Sequence, residues 1–387
     1  MTGTDRNGPD GREARPDGRA AACMASLRTF FADEARVLEW GVAPARPTPN
    51  ADRLRSWIAE DRHADMQYMA ARLAERLDPR LSHPWAETAV VMAMPYLHRL
   101  GTSSRRYKLA AYAHGEDYHD RARTLGRAVE AHLRADPALA DIRFFSFTDT
   151  SPVFERDLAS EAGLGWRGKN CCTLNRKHGS AFHLTGFFLD VALPASVPVE
   201  DFCGGCTRCL DQCPTDAFIA PGRLDANKCI SYWTIENKGV IPAALSDRFQ
   251  DWMFGCDVCQ EVCPWNHKHM RPAEEDRAGA FPLEDEKSAD KPAEGGGNAL
   301  FPETGVEWAA LLRKNGGSRR LRDTPLSRAG RRNLLRNFAI AARNLGDTTV
   351  EAPLRDCLAD ETDPIVIGEI TKTLEALARR DPGVGTT

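Results

Sequence analysis

No run of eighteen or more apolar residues occurs in this chain of 387 residues, so a bilayer-spanning helix is not expected from hydrophobicity. Residues 1–22 are rich in Gly, Arg, Asp and Pro and lack the apolar centre of a secretory signal; no Arg-Arg pair stands before an apolar run, as a twin-arginine leader requires. A cytoplasmic protein with no membrane partner is expected. Basic charge is not in excess either: 51 Lys and Arg stand against 55 Asp and Glu, a formal net charge of -4. That excludes a globally basic nucleic-acid coat, so any polyanion must meet a local patch. The glycines Gly163, Gly165 and Gly168 do not follow a strand, as a dinucleotide-binding fingerprint demands. What the chain does have is cysteine. Twelve of them in a long chain without an export signal read as metal ligation rather than as disulfides.

The pattern along the chain predicts several units. Residues 1–23 read as a disordered leader and residues 24–40 as a first helix. Short apolar runs over 86–96 and 141–149 suit strands, the first buried on both faces, with a helix over 118–135 between them. Residues 24–200 are therefore expected to form an α/β or α+β domain, its site at strand ends. A cysteine-rich module over 201–270 follows, then an acidic, Gly-rich linker over 271–303. Residues 304–387 read as helices arranged like a pair of short HEAT-like repeats.

Cys203-x2-Cys206-x2-Cys209-x3-Cys213-Pro214 is the spacing by which a tight loop gives three thiolates to one iron-sulfur cubane and a fourth to its neighbour. A second set reads Cys229, then Cys256-x2-Cys259-x3-Cys263-Pro264. By the crossed logic of two-cluster bacterial ferredoxins, Cys203, Cys206, Cys209 and Cys263 hold one [4Fe-4S] cluster. Cys213, Cys229, Cys256 and Cys259 hold the other. Paired zinc sites are the alternative, but they rarely use this spacing before proline. Cys23, Cys171, Cys172 and Cys357 read as small packing residues. Clusters alone move electrons and do no substrate chemistry, so a reactive centre is needed elsewhere.

The densest polar and glycine-rich stretch outside the cysteine module is 148–170. There Asp149 closes an apolar run, where its carboxylate would emerge at a strand end; the bland reading is a helix cap or turn. The glycines would let backbone approach a large ligand, and Trp166 would offer a flat wall. Several pieces here resemble the epoxyqueuosine reductase family: YAHGEDYH (112–119), DTSPVFERDLASEAGLGWRGKN (149–170), CGGCTRCLDQCPTDAF (203–218), LDANKCISYWTIE (224–236), GCDVCQEVCPWN (255–266) and RRNLLRNFAIAARNLGD (331–347). Arg167 stands where that family's pattern suggests an aliphatic residue, Cys171-Cys172 replace a small or aliphatic pair, and the insertion 274–298 is unusually long.

The resemblance implies a cobalamin held base-off by the N-terminal domain and reduced through the two clusters. It also implies Asp149 as the acid that protonates the epoxide oxygen as the ring opens, sparing an alkoxide leaving group. Arg76, Tyr112, Lys169, Asn170 and Thr173, with Asp149, are its implied cofactor contacts. The implied partners are tRNA carrying epoxyqueuosine and an external carrier of flavodoxin or ferredoxin type, with the protein a monomer. Arg328, Arg332 and Arg336 recur at i, i+4 and i+8, a spacing that would put them on one helix face to meet phosphates; Tyr232 and Trp233 would either stack on the modified base or pack in the core. Two other readings carry the same cysteines: a plain electron-transfer protein, and a corrinoid reductase of another substrate, such as a dehalogenase.

Overall fold

The structure, a computed structural model, describes residues 18–98, 100–101, 106–270 and 301–379. Most of the expected leader, and the expected linker up to residue 300, lie outside the described residues.

Four strands form the principal sheet: β1 (Glu39–Pro44), β2 (Thr88–Pro95), β3 (Phe144–Phe147) and β4 (Phe182–Leu189). They lie in the order β1-β2-β4-β3, and every neighbouring pair is antiparallel, which makes the domain α+β rather than α/β. β2 is apolar along its length because both faces are covered. Val90 and Met92 pack with Phe187 against Leu27 of α1 (Gly18–Ala32) and Leu125 and Val129 of α2 (Tyr118–Arg134). Ala89, Val91 and Phe188 pack against Leu158 and Ala159 of α3 (Glu155–Glu161) on the other side. A Cβ on Gly186 of β4 would lie 2.6 Å from Phe147, so only glycine lets that ring cross the strand.

The first helix starts at Gly18, inside the expected leader, and ends at Ala32. The expected helix over 24–40 fails at a turn: Glu34 accepts the Arg36 main-chain N–H at 3.1 Å and its guanidinium at 2.6 Å, and residues 39–40 open β1. The strand expected over 141–149 shortens to β3, because Asp190 takes the Arg143 N–H and Asp149 turns into the left-handed region. β4 had no counterpart in the sequence reading, since His183, Thr185 and Gly186 interrupt its apolar run.

In the cysteine module, each Cys-rich loop runs into a one-turn helix, Arg208–Asp211 or Val258–Glu261, and the two pack on one another. The strand Trp252–Phe254 pairs in parallel with Lys108–Leu109, joining this module to the first domain. Four helices follow: α4 (Gly305–Leu312), α5 (Gly330–Leu345), α6 (Glu351–Asp360) and α7 (Pro364–Ala378). Their core of Trp308, Leu334, Phe338 and Ile370 continues into Tyr107, Met253 and Phe254, so it crosses the unit boundaries expected from the sequence.

Arg336 is the chief departure from the expected basic face. It is 1 % exposed, and its guanidinium donates to the carbonyls of Trp233 (2.8 Å) and Gly239 (2.5 Å) and to Asn237 Oδ1 (3.1 Å). Burial pulls its pKa down to about 10, leaving it cationic at neutral pH. A side chain so occupied cannot meet RNA. Nor do the three arginines share a helix face: Arg328 closes a separate short turn, Pro325–Arg328, before Gly330 at φ +73°. Arg336→Ala should therefore cost roughly 2–4 kcal/mol, because buried acceptors lose their donor. Arg328→Ala, at the surface, should cost less than about 1 kcal/mol. Denaturant unfolding of the two variants checks this; equal losses would contradict the assignment of Arg336 to the core.

Candidate active site

β3 delivers Asp149 to the edge of a recess, and α2 supplies its partners. Asp117 caps α2 by accepting the His119 N–H at 2.9 Å, which sets Tyr118 and His119 in the first turn. The Tyr118 hydroxyl donates to Asp149 Oδ2 at 3.0 Å. His119 Nε2 lies 3.4 Å from the same oxygen, an ion-pair contact rather than a well-formed hydrogen bond, while its Nδ1 lies 2.7 Å from Asp117 Oδ1. Asp149 adopts φ +43°, a conformation that costs a non-glycine residue of order 1 kcal/mol and that these contacts hold in place.

Asp149 keeps 64 % of its side chain open to solvent although neighbours crowd it. Desolvation works to raise its carboxyl, but the contacts from His119 and Tyr118 outweigh it and hold the pKa below the ordinary value. His119 is raised in turn, by Asp149 first and then, against desolvation, by Asp117. At rest the proton of this pair sits on the imidazole. An aromatic wall stands behind: Tyr118 stacks on His183 with centroids 4.2 Å apart, and Tyr96 and Tyr112 flank that ring. Burial drives His183 down to about 3, so it is neutral. Glu155 is pushed up to about 7 by burial and by the charge of Asp149.

The other expected contacts separate into two groups. Arg76 lies 3.5 Å from the Ser151 carbonyl with its Nε unpartnered, and the buried Thr173 hydroxyl has no partner; Glu155 Oε1 and Arg167 Nε are likewise buried and unsatisfied among the described residues. Such orphaned polar atoms fit a large ligand rimmed with amides, such as a corrin. Tyr112 belongs with them by its place in the aromatic wall.

Lys169 and Asn170 turn instead toward the cysteine loops. Lys169 Nζ donates to the Gly204 (2.6 Å) and Cys206 (2.9 Å) carbonyls, and Asn170 Nδ2 to the Cys259 carbonyl at 3.1 Å. Trp166 is buried, donates to Cys203 Sγ at 3.4 Å and packs edge-on to Phe202 and Trp265, so it walls the cysteine loop and not a ligand pocket. Gly165 and Gly168 serve the same hairpin, where a Cβ on Gly165 would lie 2.0 Å from the Leu174 carbonyl, while Gly163 turns the chain at φ +73° against the Val197 carbonyl.

None of the twelve cysteines forms a disulfide. Cys209 and Cys263 are within electrostatic reach of Cys203 and Cys206; Cys256 is within reach of Cys229 and Cys213, and Cys259 of Cys256 and Cys229. Two nests of thiols result. Among the described residues no three His, Cys, Asp or Glu side chains converge tightly enough for one bare metal ion. A cubane asks for a wider nest, because its thiolates attach to different irons. Cys172 lies within electrostatic reach of Cys259 and Cys263, beside the thiol nests, whereas Cys23 and Cys357 lie in hydrophobic cores.

Two family models match: the 4Fe-4S double cluster binding domain over residues 202–266 and Epoxyqueuosine reductase QueG, DUF1730, over residues 76–150. The chain is 35% identical over 359 residues to the epoxyqueuosine reductase of Xanthomonas campestris, covering 90% of this chain and 94% of that one. The chain belongs to the epoxyqueuosine reductase family. The Pseudomonas aeruginosa epoxyqueuosine reductase is 36% identical over 318 residues, 80% of this chain and 82% of that one. In fold, the chain matches the epoxyqueuosine reductase of Streptococcus thermophilus at TM-score 0.75 and 22% identity, over 93% of this chain and 92% of that one. It also matches an epoxyqueuosine reductase solved with an epoxyqueuosine-modified tRNA stem loop, at TM-score 0.69 and 24% identity, over 92% and 99% of the chains. As an epoxyqueuosine reductase it is an oxidoreductase of tRNA modification, with cobalamin and two [4Fe-4S] clusters as cofactors. Among the described residues no helix is long and apolar enough to cross a membrane.

His119, Tyr118 and Glu155 had no role in the sequence reading. A histidine and a tyrosine directly after an Asp cap were the available signal, but nothing local told which carboxylate the turn would face.

The pair carries a pH signature. The folded pKa of His119 is raised, so its stabilisation is complete below the ordinary imidazole value of about 6.5 and is lost as pH rises through the raised one. Asp149 is lowered, so its share is complete above the ordinary carboxylate value of about 3.9 and is lost as pH falls through the depressed one. Nitrogen-15 NMR of the oxidised protein should find His119 titrating above the ordinary value and returning toward it in Asp149→Asn. An unshifted wild-type His119 would contradict the pairing.

Proposed function

We propose that this chain reduces epoxyqueuosine to queuosine in the tRNA anticodon with Asp149 as proton donor. The observation that carries the reading is the contact of Asp149 with His119, in a domain whose hairpin over residues 166–173 is bonded to both cysteine loops. Removal of the epoxide oxygen as water consumes two electrons and two protons. Asp149 delivers a proton to that oxygen as the ring opens; His119 Nε2 holds the proton that loads Asp149 Oδ2, and Asp117 keeps the imidazole in line. As substrate closes the recess and expels water, the neutral carboxyl gains over the carboxylate, which moves the proton onto Asp149.

Arg76, Tyr112, Thr173, Glu155 and Arg167 would hold the cobalamin, which when bound supplies a strongly reducing cobalt for the two-electron step. Cys203, Cys206, Cys209 and Cys263 would hold the outer cluster, and Cys213, Cys229, Cys256 and Cys259 the inner one. Lys169 and Asn170 steady the loops around them. A flavodoxin- or ferredoxin-type carrier would feed the outer cluster of a monomer working in the reducing cytoplasm. α4 to α7 serve as a HEAT-like platform for tRNA, with Arg328 and Arg332 on the RNA side and Arg336 inside. Both outer arginines already have acidic partners, Glu236 at 2.8 Å and Asp363 at 3.0 Å, so phosphates would have to compete for them.

An Asp149→Asn variant keeps the shape and loses the acid. Loaded with both cofactors, it should take up electrons at the wild-type rate by absorbance yet turn over at least roughly a hundredfold more slowly. Wild-type turnover would remove Asp149 from the reaction. His119→Ala should slow turnover by less than Asp149→Asn and steepen its decline with rising pH; an unchanged profile would remove the reloading step.

A further inference from the structure

Tyr68 is a large side chain left open at the surface, 44 % exposed, in the short helix Gln67–Ala71. Among the described residues its hydroxyl donates to Met66 Sδ, at 3.3 Å. One face of its ring is covered by Arg328, whose Cζ lies 5.6 Å from the ring centroid. Arg328 is not free to swing away, because Glu236 grips it through Nε at 3.0 Å and Nη2 at 2.8 Å. A bidentate pair fixes the guanidinium plane, and the ring beneath it is steadied.

The position of this pair matters more than its exposure. Tyr68 and Arg328 each lie within electrostatic reach of Asp149, and Tyr112 in the aromatic wall is within reach of Asp149, Glu236 and Arg328. The exposed ring and the guanidinium over it therefore lie near the proton donor. Of the two roles open to Tyr232 and Trp233, stacking on the base or packing, the structure fits packing. Tyr232 is buried with its hydroxyl on Asp65, and Trp233 donates its Nε1 to the Asn227 carbonyl at 2.8 Å and packs against a hydrophobic cluster.

A nucleotide that enters a recess must leave the stack of its neighbours, and the face it exposes on the next base needs a new partner. We propose that Tyr68, steadied by Arg328, is the platform on which the unpaired anticodon base next to the modified nucleotide stacks. The inference rests on the tRNA reading above and assigns it a contact. Because Glu236 already neutralises Arg328, the platform works through its π surface and not by displacing counterions, which separates it from a phosphate contact.

The test titrates an anticodon stem-loop, with a fluorescent adenine analogue next to the wobble position, into cofactor-loaded protein at several salt concentrations. Tyr68→Ala should bind about five- to a hundredfold more weakly, with the slope of log K against log salt unchanged. The fluorescence change should be lost, while Tyr68→Phe and Tyr68→Trp retain it. Cluster and cobalamin absorbance, equal in all variants, verifies that the fold is intact. If Tyr68→Ala binds as wild type with the same fluorescence change, the platform is overturned and the tRNA reading stands. A salt slope smaller by about one in Tyr68→Ala would also overturn it, in favour of a phosphate contact. Wild-type protein that does not bind the stem-loop would overturn both.

Discussion

Residues 166–173 are the tie on which the geometry depends. One strand-turn-strand hairpin donates from Trp166 to Cys203 Sγ, from Lys169 to the carbonyls of Gly204 and Cys206, and from Asn170 to the carbonyl of Cys259. It reaches both cysteine loops, while Thr173 on its return strand keeps a buried hydroxyl without a partner among the described residues. Electron transfer falls steeply with distance, so a relay between two clusters and a third centre needs fixed spacing. A short hairpin bonded to both cysteine loops fixes how those loops sit against the first domain. The tight approach of Gly165 to the Leu174 carbonyl leaves the hairpin no slack.

A second tie runs through the C-terminal helices. Arg336 and its neighbour Asn337 reach back to Trp233, Thr234, Gly239 and Met253, carbonyls of the segment that follows Cys229 and precedes Cys256. The helical unit therefore braces the inner thiol nest from behind. Burying an arginine is costly, and here the carbonyls of Trp233 and Gly239 and the Asn237 side chain converge on it to offset that cost. The arrangement also pairs Arg328 with Glu236 and brings the guanidinium within electrostatic reach of the acid.

Much of this was legible in the sequence where the signal is local. The cysteine spacing marked the loops, since each loop contains most of its own determinants. Asp149 after an apolar run was legible because a strand end is a local event. The helix over 118–135 carried its own cap and period. What stayed hidden depends on the partner across space. Arg336 looks like Arg332 in a helical pattern, and only packing against the segment after Cys229 tells that one is buried and the other is not. Lys169 and Asn170 read as ligand contacts until the loops they grip are in place. Tyr68 could not be told from any surface tyrosine, because its meaning comes from a guanidinium far away in the chain.

The acid, the unsatisfied buried polar side chains and the two thiol nests of this chain have one proposed purpose, and mass spectrometry tests it most directly. Protein loaded anaerobically with both clusters and cobalamin, given a low-potential reductant and tRNA bearing epoxyqueuosine, should yield nucleosides in which epoxyqueuosine has lost one oxygen atom and become queuosine. Unchanged epoxyqueuosine, from protein whose spectra verify that all three centres are present and reduced, would contradict it.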